Sequence, residues 1–571
     1  MAEGRSTVRS LRGIQQGLFL PELELTAKQF VEPKGVVYTK PWVVELMLDL
    51  AGYCTEANLV DCLAIEPSAG DGAFLVPMVE RLVCSCRGQG RPVVDCLGSL
   101  IAYELDPESA RRARTLVEQA LAKLGVGNSE CSELANAWVR HGDYLIDGAI
   151  LKADFVIGNP PYVRMEEIPL GTAALYRSAY RTMKGRADLY VAFFEAALHQ
   201  LKQGGVCSFI CADRWMRNQY GSELRELVTA AYAVEVVIEM HNAEAFEAEV
   251  DAYPAITVIR RSEQGRAIVA QAGADVEVLG TKRIVEALRA KHRGEQGPFL
   301  AGLRVAIVDA WFQNSDPWPC SSPEQMALLR RLEDQFPAIE AGARIGIGVA
   351  TGNDGLFITK DPDLVEQSRM LKLAIARDIR EGVVKWSGNY LVDPWNGEGL
   401  VVLEQYPKLK AYLEKNAEAL KLRHTAAKNA KGWYRTIDRV THRLTAMPKL
   451  YIADIKSELD PVLDRGGTYP HHNLYFIESD AWDLEVLGGL LISSVGHFFV
   501  ESYGVRMRGG YFRFQAQYLR RIRVPNPESI SVPLADELRE AFRSRNRKRA
   551  TAAALIAYGI GLKELELALG R

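Results

Sequence analysis

The chain has 571 residues, 48% of them hydrophobic and 25% charged, and its net charge is −3. At about 100–200 residues per domain it has room for roughly two to four domains, and its charge balance excludes a uniformly basic nucleic-acid binder. No apolar run reaches the roughly 18 residues that span a bilayer, and residues 1–16 lack the apolar core of a secretory signal. The expected setting is therefore the cytoplasm, with no membrane partner. Eight of the nine cysteines lie at or before Cys211. Neither Cys84-x-Cys86 nor the Cys207 and Cys211 pair matches a zinc spacing, so reduced thiols and no metal are expected.

Residues 1–35 read as an N-terminal arm. Over 36–264, strand-like runs at 59–65, 99–103, 155–157, 206–211, 234–239 and 255–259 alternate with helical patterns at 73–83, 107–124, 189–201 and 222–231. This alternation predicts an α/β domain built on a Rossmann-like, doubly wound sheet of parallel strands. Residues 265–300 are polar and punctuated by glycine, and read as a linker with a helix at 282–291. Residues 301–571 lose the alternation and are rich in Arg, Trp and Tyr. Isolated strand-like runs at 449–455 and 474–477, and a basic helix at 538–554, predict a mixed α+β domain.

The first strand leads into Glu66-Pro67-Ser68-Ala69-Gly70-Asp71-Gly72-Ala73-Phe74, which opens a helix. Gly70 and Gly72 let the backbone approach a ligand closely. The acids Glu66 and Asp71 would repel a pyrophosphate but suit a ligand carrying sulfonium and ammonium groups. The second strand ends in Tyr103-Glu104-Leu105-Asp106. Glu104 stands where a carboxylate grips a ribose diol in doubly wound folds, whereas Asp106 suits the start of the following helix. Asp143 and Tyr144 close the next short strand, an acceptor and a ring suited to a nucleoside base.

The fourth strand ends at Asn159-Pro160-Pro161-Tyr162. Two prolines fix the backbone after the Asn. The Asn159 side chain and the Pro160 carbonyl become paired acceptors at the ligand edge of the sheet. Together they can bind both N–H bonds of an aromatic amine and draw its lone pair out of the ring toward an electrophilic methyl group. Catalysis of that kind is positioning and electrostatics. Tyr162 offers a face on which an extruded base can stack.

Taken together, Tyr38-Thr39-Lys40-Pro41, 66–74, Glu104, Asp143 and 159–162 resemble the N6-adenine DNA methyltransferases of bacterial restriction–modification systems. The order resembles their gamma class, in which a C-terminal target-recognition domain ends the chain. The resemblance is strongest over about 30–260. It extends more weakly to 345–354, 448–450 and 505–525. It implies S-adenosyl-L-methionine as cofactor and double-stranded DNA as substrate for a monomeric modification enzyme, with any restriction endonuclease or defence-complex subunit a separate partner. It further implies that Tyr38, Thr39, Glu66, Ser68, Gly70, Gly72, Phe74, Glu104, Leu105, Asp143 and Tyr144 line the cofactor site. Asn159, Pro160, Pro161 and Tyr162 would be the catalytic group, with Phe246 sandwiching the flipped adenine against Tyr162. Residues 165–184 would form a mobile cover.

Two basic stretches, 421–449 and 503–524, suggest phosphate contacts, with Lys428, Lys431, Arg506, Arg508 and Arg513 as the chosen DNA-binding residues. The alternatives are an RNA adenine or protein glutamine N-methyltransferase, or a methyltransferase-like DNA-binding subunit. The long Arg- and aromatic-rich extension favours a polymeric nucleic acid over a protein substrate. A fused nuclease is not expected, because about 35 residues ahead of the methyltransferase motifs are too few to hold one.

Overall fold

The computed structural model describes residues 38–570 except 149–150, 249–252, 296–299, 310, 429, 505 and 508–510. The expected arm at 1–35 and Arg508 lie outside the described residues. Nine strands form one sheet: β1 (Ala64–Glu66), β2 (Leu100–Glu104), β3 (Val139–His141), β4 (Ala153–Gly158), β5 (Leu201–Ala212), β6 (Ala233–Glu239), β7 (Pro254–Arg260), β8 (Ala267–Ala272) and β9 (Leu303–Val308). Their order is β3-β2-β1-β4-β5-β7-β6-β8-β9.

The α/β doubly wound class is as expected, and β3, β2, β1, β4 and β5 run parallel. Two features differ. β7 inserts antiparallel between β5 and β6; among its described residues the connection from β6 carries no helix of the kind that returns a chain to the same end of a sheet. The segment read as a linker also continues the sheet. β8 pairs parallel with β6, and β9 antiparallel with β8.

Both faces are covered, which is why the strands read as near-continuous apolar runs. Ala64, Leu100 and Ala102 point into a core with the helices Pro41–Ala51, Leu75–Gly88 and Thr281–His292. Ile65, Ile101 and Tyr103 point into the opposite core with Tyr190–Gln200 and Ser222–Ala231. Asp106 caps the helix Pro107–Lys123, accepting from the Ser109 N–H at 2.7 Å.

Trp311 and Trp318 belong to that second core, and Trp318 packs edge-on against Trp215 at 4.9 Å. An aromatic seam thus carries the chain into its C-terminal part. There, Arg344–Ile347, Leu474–Glu478, Lys449–Ala453 and Val462–Asp464 form an antiparallel sheet. It packs on a core shared with the apolar helices Leu484–Ile492 and Ser494–Tyr503. The basic helix expected at 538–554 is two helices, Val532–Arg543 and Arg547–Tyr558, broken where Arg545 takes a φ of +55°. Among the described residues no single helix is long and apolar enough to cross a membrane. The nine cysteines form no disulfide.

Candidate active site

Because β1 to β4 are parallel, Glu66, Glu104, His141 and Gly158 end their strands at the same sheet edge. The Glu66 side chain is the centre of the first half of the site. It is 1% exposed, and its Oε2 has no hydrogen-bond partner among the described residues. Burial, reinforced by the Glu104 and Asp71 carboxylates, holds its pKa well above the usual range. Asp71 and Glu104 are also raised, chiefly by burial. Three acids sharing one cradle form an environment that a cation would relieve.

The loop between these acids is firmly built. The Ala69 N–H donates to the Tyr103 carbonyl at 2.8 Å. The Gly70 N–H donates to Glu104 Oε2 at 2.8 Å, and the Asp106 N–H to Oε1 at 2.9 Å. Gly70 and Gly72 take φ of +52° and +86°, a region that side chains disfavour. Ser68 is half-buried and Leu105 is exposed, both beside the loop, while Phe74 lies in the core beneath it.

Asp143 caps the short helix Tyr144–Asp147, with Oδ1 accepting the Leu145 N–H at 2.9 Å. Its Oδ2 accepts the Tyr176 hydroxyl at 2.6 Å. Burial raises its pKa. Tyr144 requires a correction: its ring stacks on Phe193 at 5.3 Å and its hydroxyl donates to Gln200, so it is a core residue. Tyr176 and Tyr180 take the aromatic positions around Asp143 instead. They come from the helix Leu170–Ala179 and the residue that follows its end, inside the segment expected to be a mobile cover. The sequence carries no periodic signal that would single them out.

The second half of the site is the turn after β4. The Asn159 Nδ2 donates to Thr39 Oγ1 at 3.2 Å, which engages the donor end of the amide. Thr39 is delivered there by pairing across some 200 residues. The Lys40 N–H donates to the Ala245 carbonyl at 2.9 Å, the Glu247 N–H donates to the Tyr38 carbonyl at 3.0 Å, and Thr39 bridges to Phe246. Tyr38 stays 44% exposed and Thr39 is buried. After Pro160 and Pro161, the Leu189 N–H donates to the Val163 carbonyl at 2.8 Å and fixes the exit of the turn.

Tyr162 and Phe246 do come together, but edge to face, at 6.2 Å and 84°. A base held between them would require one ring to turn. The Tyr162 hydroxyl is buried and has no hydrogen-bond partner among the described residues. Behind it, Tyr190 and Tyr220 share a hydroxyl contact of 2.6 Å, and Tyr220 donates to Asp188 at 3.0 Å.

Comparison with known proteins identifies the family. The Eco57I restriction-modification methylase family model matches residues 111–246. The chain is 42% identical to the type II methyltransferase M.PaeR7I of Pseudomonas aeruginosa, over 94% of this chain and 93% of that one. It is 40% identical to the type II methyltransferase M.XhoI of Xanthomonas vasicola, over 94% and 99%. The chain belongs to the type II methyltransferases of restriction–modification systems. Its fold is similar to that of the type IIL restriction-modification enzyme MmeI, solved in complex with DNA. That likeness has a TM-score of 0.54 at 15% identity, over 93% of this chain and 74% of that one.

The basic stretches of this methyltransferase are less free than the sequence suggests. Arg520 pairs with Glu340 at 3.0 Å, Arg521 with Asp316 at 2.7 Å and Arg443 with Glu478 at 2.7 Å. Lys449 is wholly buried against Asp464 at 2.8 Å. Acids distant in sequence fold back onto these cations. Of the chosen DNA contacts, Lys431 is exposed. Arg513 is half-exposed and lies 3.3 Å from Asp454. The side chains of Lys428 and Arg506 lie outside the described residues.

Proposed function

We propose that this methyltransferase transfers a methyl group from S-adenosyl-L-methionine to the N6 amino group of an adenine extruded from duplex DNA. In this reading it is a cytoplasmic monomer whose partner endonuclease is separate. Residues 36–308 are its catalytic domain, the expected linker at 265–300 being taken into its sheet, and the chain from there to 571 is its target-recognition domain, with Lys428, Lys431, Arg506, Arg508 and Arg513 on the DNA side.

The observation that carries this reading is the meeting of two arrangements at one sheet edge. One is a buried three-acid cradle containing an unpartnered carboxylate oxygen. The other is a proline-locked turn whose amide is oriented by Thr39. The cradle fits the cofactor. Glu66 would take its positively charged amino-acid end, Glu104 its ribose hydroxyls and Asp143 its base, with Gly70 and Gly72 giving close backbone approach. When bound, the cofactor supplies an electrophilic methyl on a good leaving group, so no strong base is needed before attack.

The remaining work belongs to the chain. The Asn159 side chain and the Pro160 carbonyl accept the two N–H bonds of the amine, localise its lone pair on nitrogen and aim it at the methyl. Their advantage is preorganisation: acceptors held by a proline-locked turn need little reorganisation at the transition state. Tyr162 and Phe246 give the extruded base apolar surface in exchange for its lost stacking.

The test is nucleoside analysis by mass spectrometry of DNA methylated by the purified enzyme. N6-methyladenine as the only new nucleoside is expected. A methylated cytosine, or label found only in RNA or protein, would overturn the assignment.

A further inference from the structure

Two clusters of His, Asp and Glu in the described residues bring one potential ligand atom from each member to within 4.8 Å of the others. They differ in what else is present. In the first, Asp213, Glu239 and His241 surround the buried guanidinium of Arg217, 2.6 Å from Glu239 and 3.4 Å from Asp213. A resident cation already balances those acids.

The second cluster lies in the C-terminal part, where Asp354 meets His471 and His472. Among the described residues no Lys or Arg pairs with Asp354. Its Oδ2 faces His471 Nε2 at 3.2 Å, and its Oδ1 accepts the Thr351 hydroxyl at 2.5 Å. The rings of His471 and His472 are 4.0 Å apart. His471 is 5% exposed.

The backbone under these ligands is rigid. The Val349 N–H donates to the Pro470 carbonyl at 2.9 Å and the His472 N–H to the Val349 carbonyl at 3.0 Å. The His471 N–H donates to the Ala374 carbonyl at 2.9 Å. Two loops, 349–354 and 470–473, are thus held face to face before any ligand arrives. Closing the cluster to the roughly 3.3 Å ligand spacing of a tetrahedral site, with bonds of about 2.0–2.1 Å, takes relative side-chain shifts of up to about 1.5 Å.

The geometry points to a divalent metal site at Asp354, His471 and His472, of the two-imidazole, one-carboxylate kind that takes zinc. His472 and Asp354 are exposed, so water completes the coordination. The bound ion would tie the loop containing Thr351-Gly352-Asn353-Asp354 to the His471–His472 turn. The ligands come from segments 117 residues apart, so no local spacing in the sequence reveals them.

The test uses the full chain, free of any affinity tag, stripped with chelator and then titrated with zinc chloride by calorimetry. Dialysis and elemental analysis give the stoichiometry. One zinc per chain is expected. His472→Ala and Asp354→Asn, both at exposed positions, should each weaken binding at least about tenfold while leaving the circular dichroism of the apo protein unchanged. Substitution with cobalt(II) should give a visible absorption band that both variants lose. Failure of the wild-type chain to retain zinc, or equal retention by both variants, would overturn the site.

Discussion

Replacing Glu66 by Gln should move two properties in opposite directions. In the free protein the carboxylate is buried, has no partner at Oε2 among the described residues and sits beside Glu104 and Asp71. Its pKa is raised far above the ordinary 4.5, so the folded state holds the proton more tightly than the unfolded chain does. The stability linked to that proton is complete below the unfolded pKa and is lost as pH rises through the folded one. Glu66→Gln removes this loss. The free variant should melt higher than wild type at about pH 8, and the difference should shrink toward about pH 5.

Cofactor binding should move the other way. A hydrogen bond from a cationic group to a carboxylate is worth ~1.5–3 kcal/mol, so its removal weakens binding about ten- to 150-fold. Wild-type affinity should also rise with pH, because binding favours the ionised carboxylate, and the variant should lose that dependence. Thermal melts and calorimetric titration with S-adenosyl-L-methionine, both run across that pH range, provide the assay. A variant that binds cofactor as tightly as wild type, or whose free form is destabilised at high pH, would refute the assignment of the cradle.

Asn159→Ala should reduce methyl transfer to DNA by at least about a hundredfold with cofactor affinity within a few-fold of wild type, as read by single-turnover kinetics and calorimetry. Thr39→Val removes one neutral hydrogen bond to that amide, worth about 1 kcal/mol, and should slow single-turnover methylation about fivefold. Combined with Asn159→Ala it should add nothing further. Neutralising Lys431 and Arg513 should lower DNA affinity and flatten its dependence on salt by about 0.9 in logarithmic slope per lost contact. An unchanged slope would place the DNA elsewhere on the surface.

Much of the catalytic half was legible because its signals are local. The helix Ser222–Ala231 and the cap at Asp106 follow from periodicity and capping chemistry within a few residues. What the sequence hid depends on partners far along the chain. β8 is a six-residue, mostly apolar segment too short to distinguish from a loop until β6 and β9 pair with it. Tyr144 carries the polar hydroxyl of a ligand-facing residue, yet Phe193 and Gln200 satisfy both its ring and its hydroxyl inside the core. The arginines at 520 and 521 look uncompensated in sequence, but Glu340 and Asp316 meet them in space. The contact between Thr39 and Asn159 spans 120 residues; the motifs identified its two ends, and only the fold joins them.

A crystal structure of the enzyme with a non-reactive cofactor analogue and a cognate DNA duplex tests the central claim most directly. The account predicts one adenine outside the helix, its N6 about 3 Å from both Asn159 Oδ1 and the Pro160 carbonyl oxygen, with the cofactor's charged amino group on Glu66. A target base left stacked in the duplex, or an amino group bound away from that turn, would contradict it.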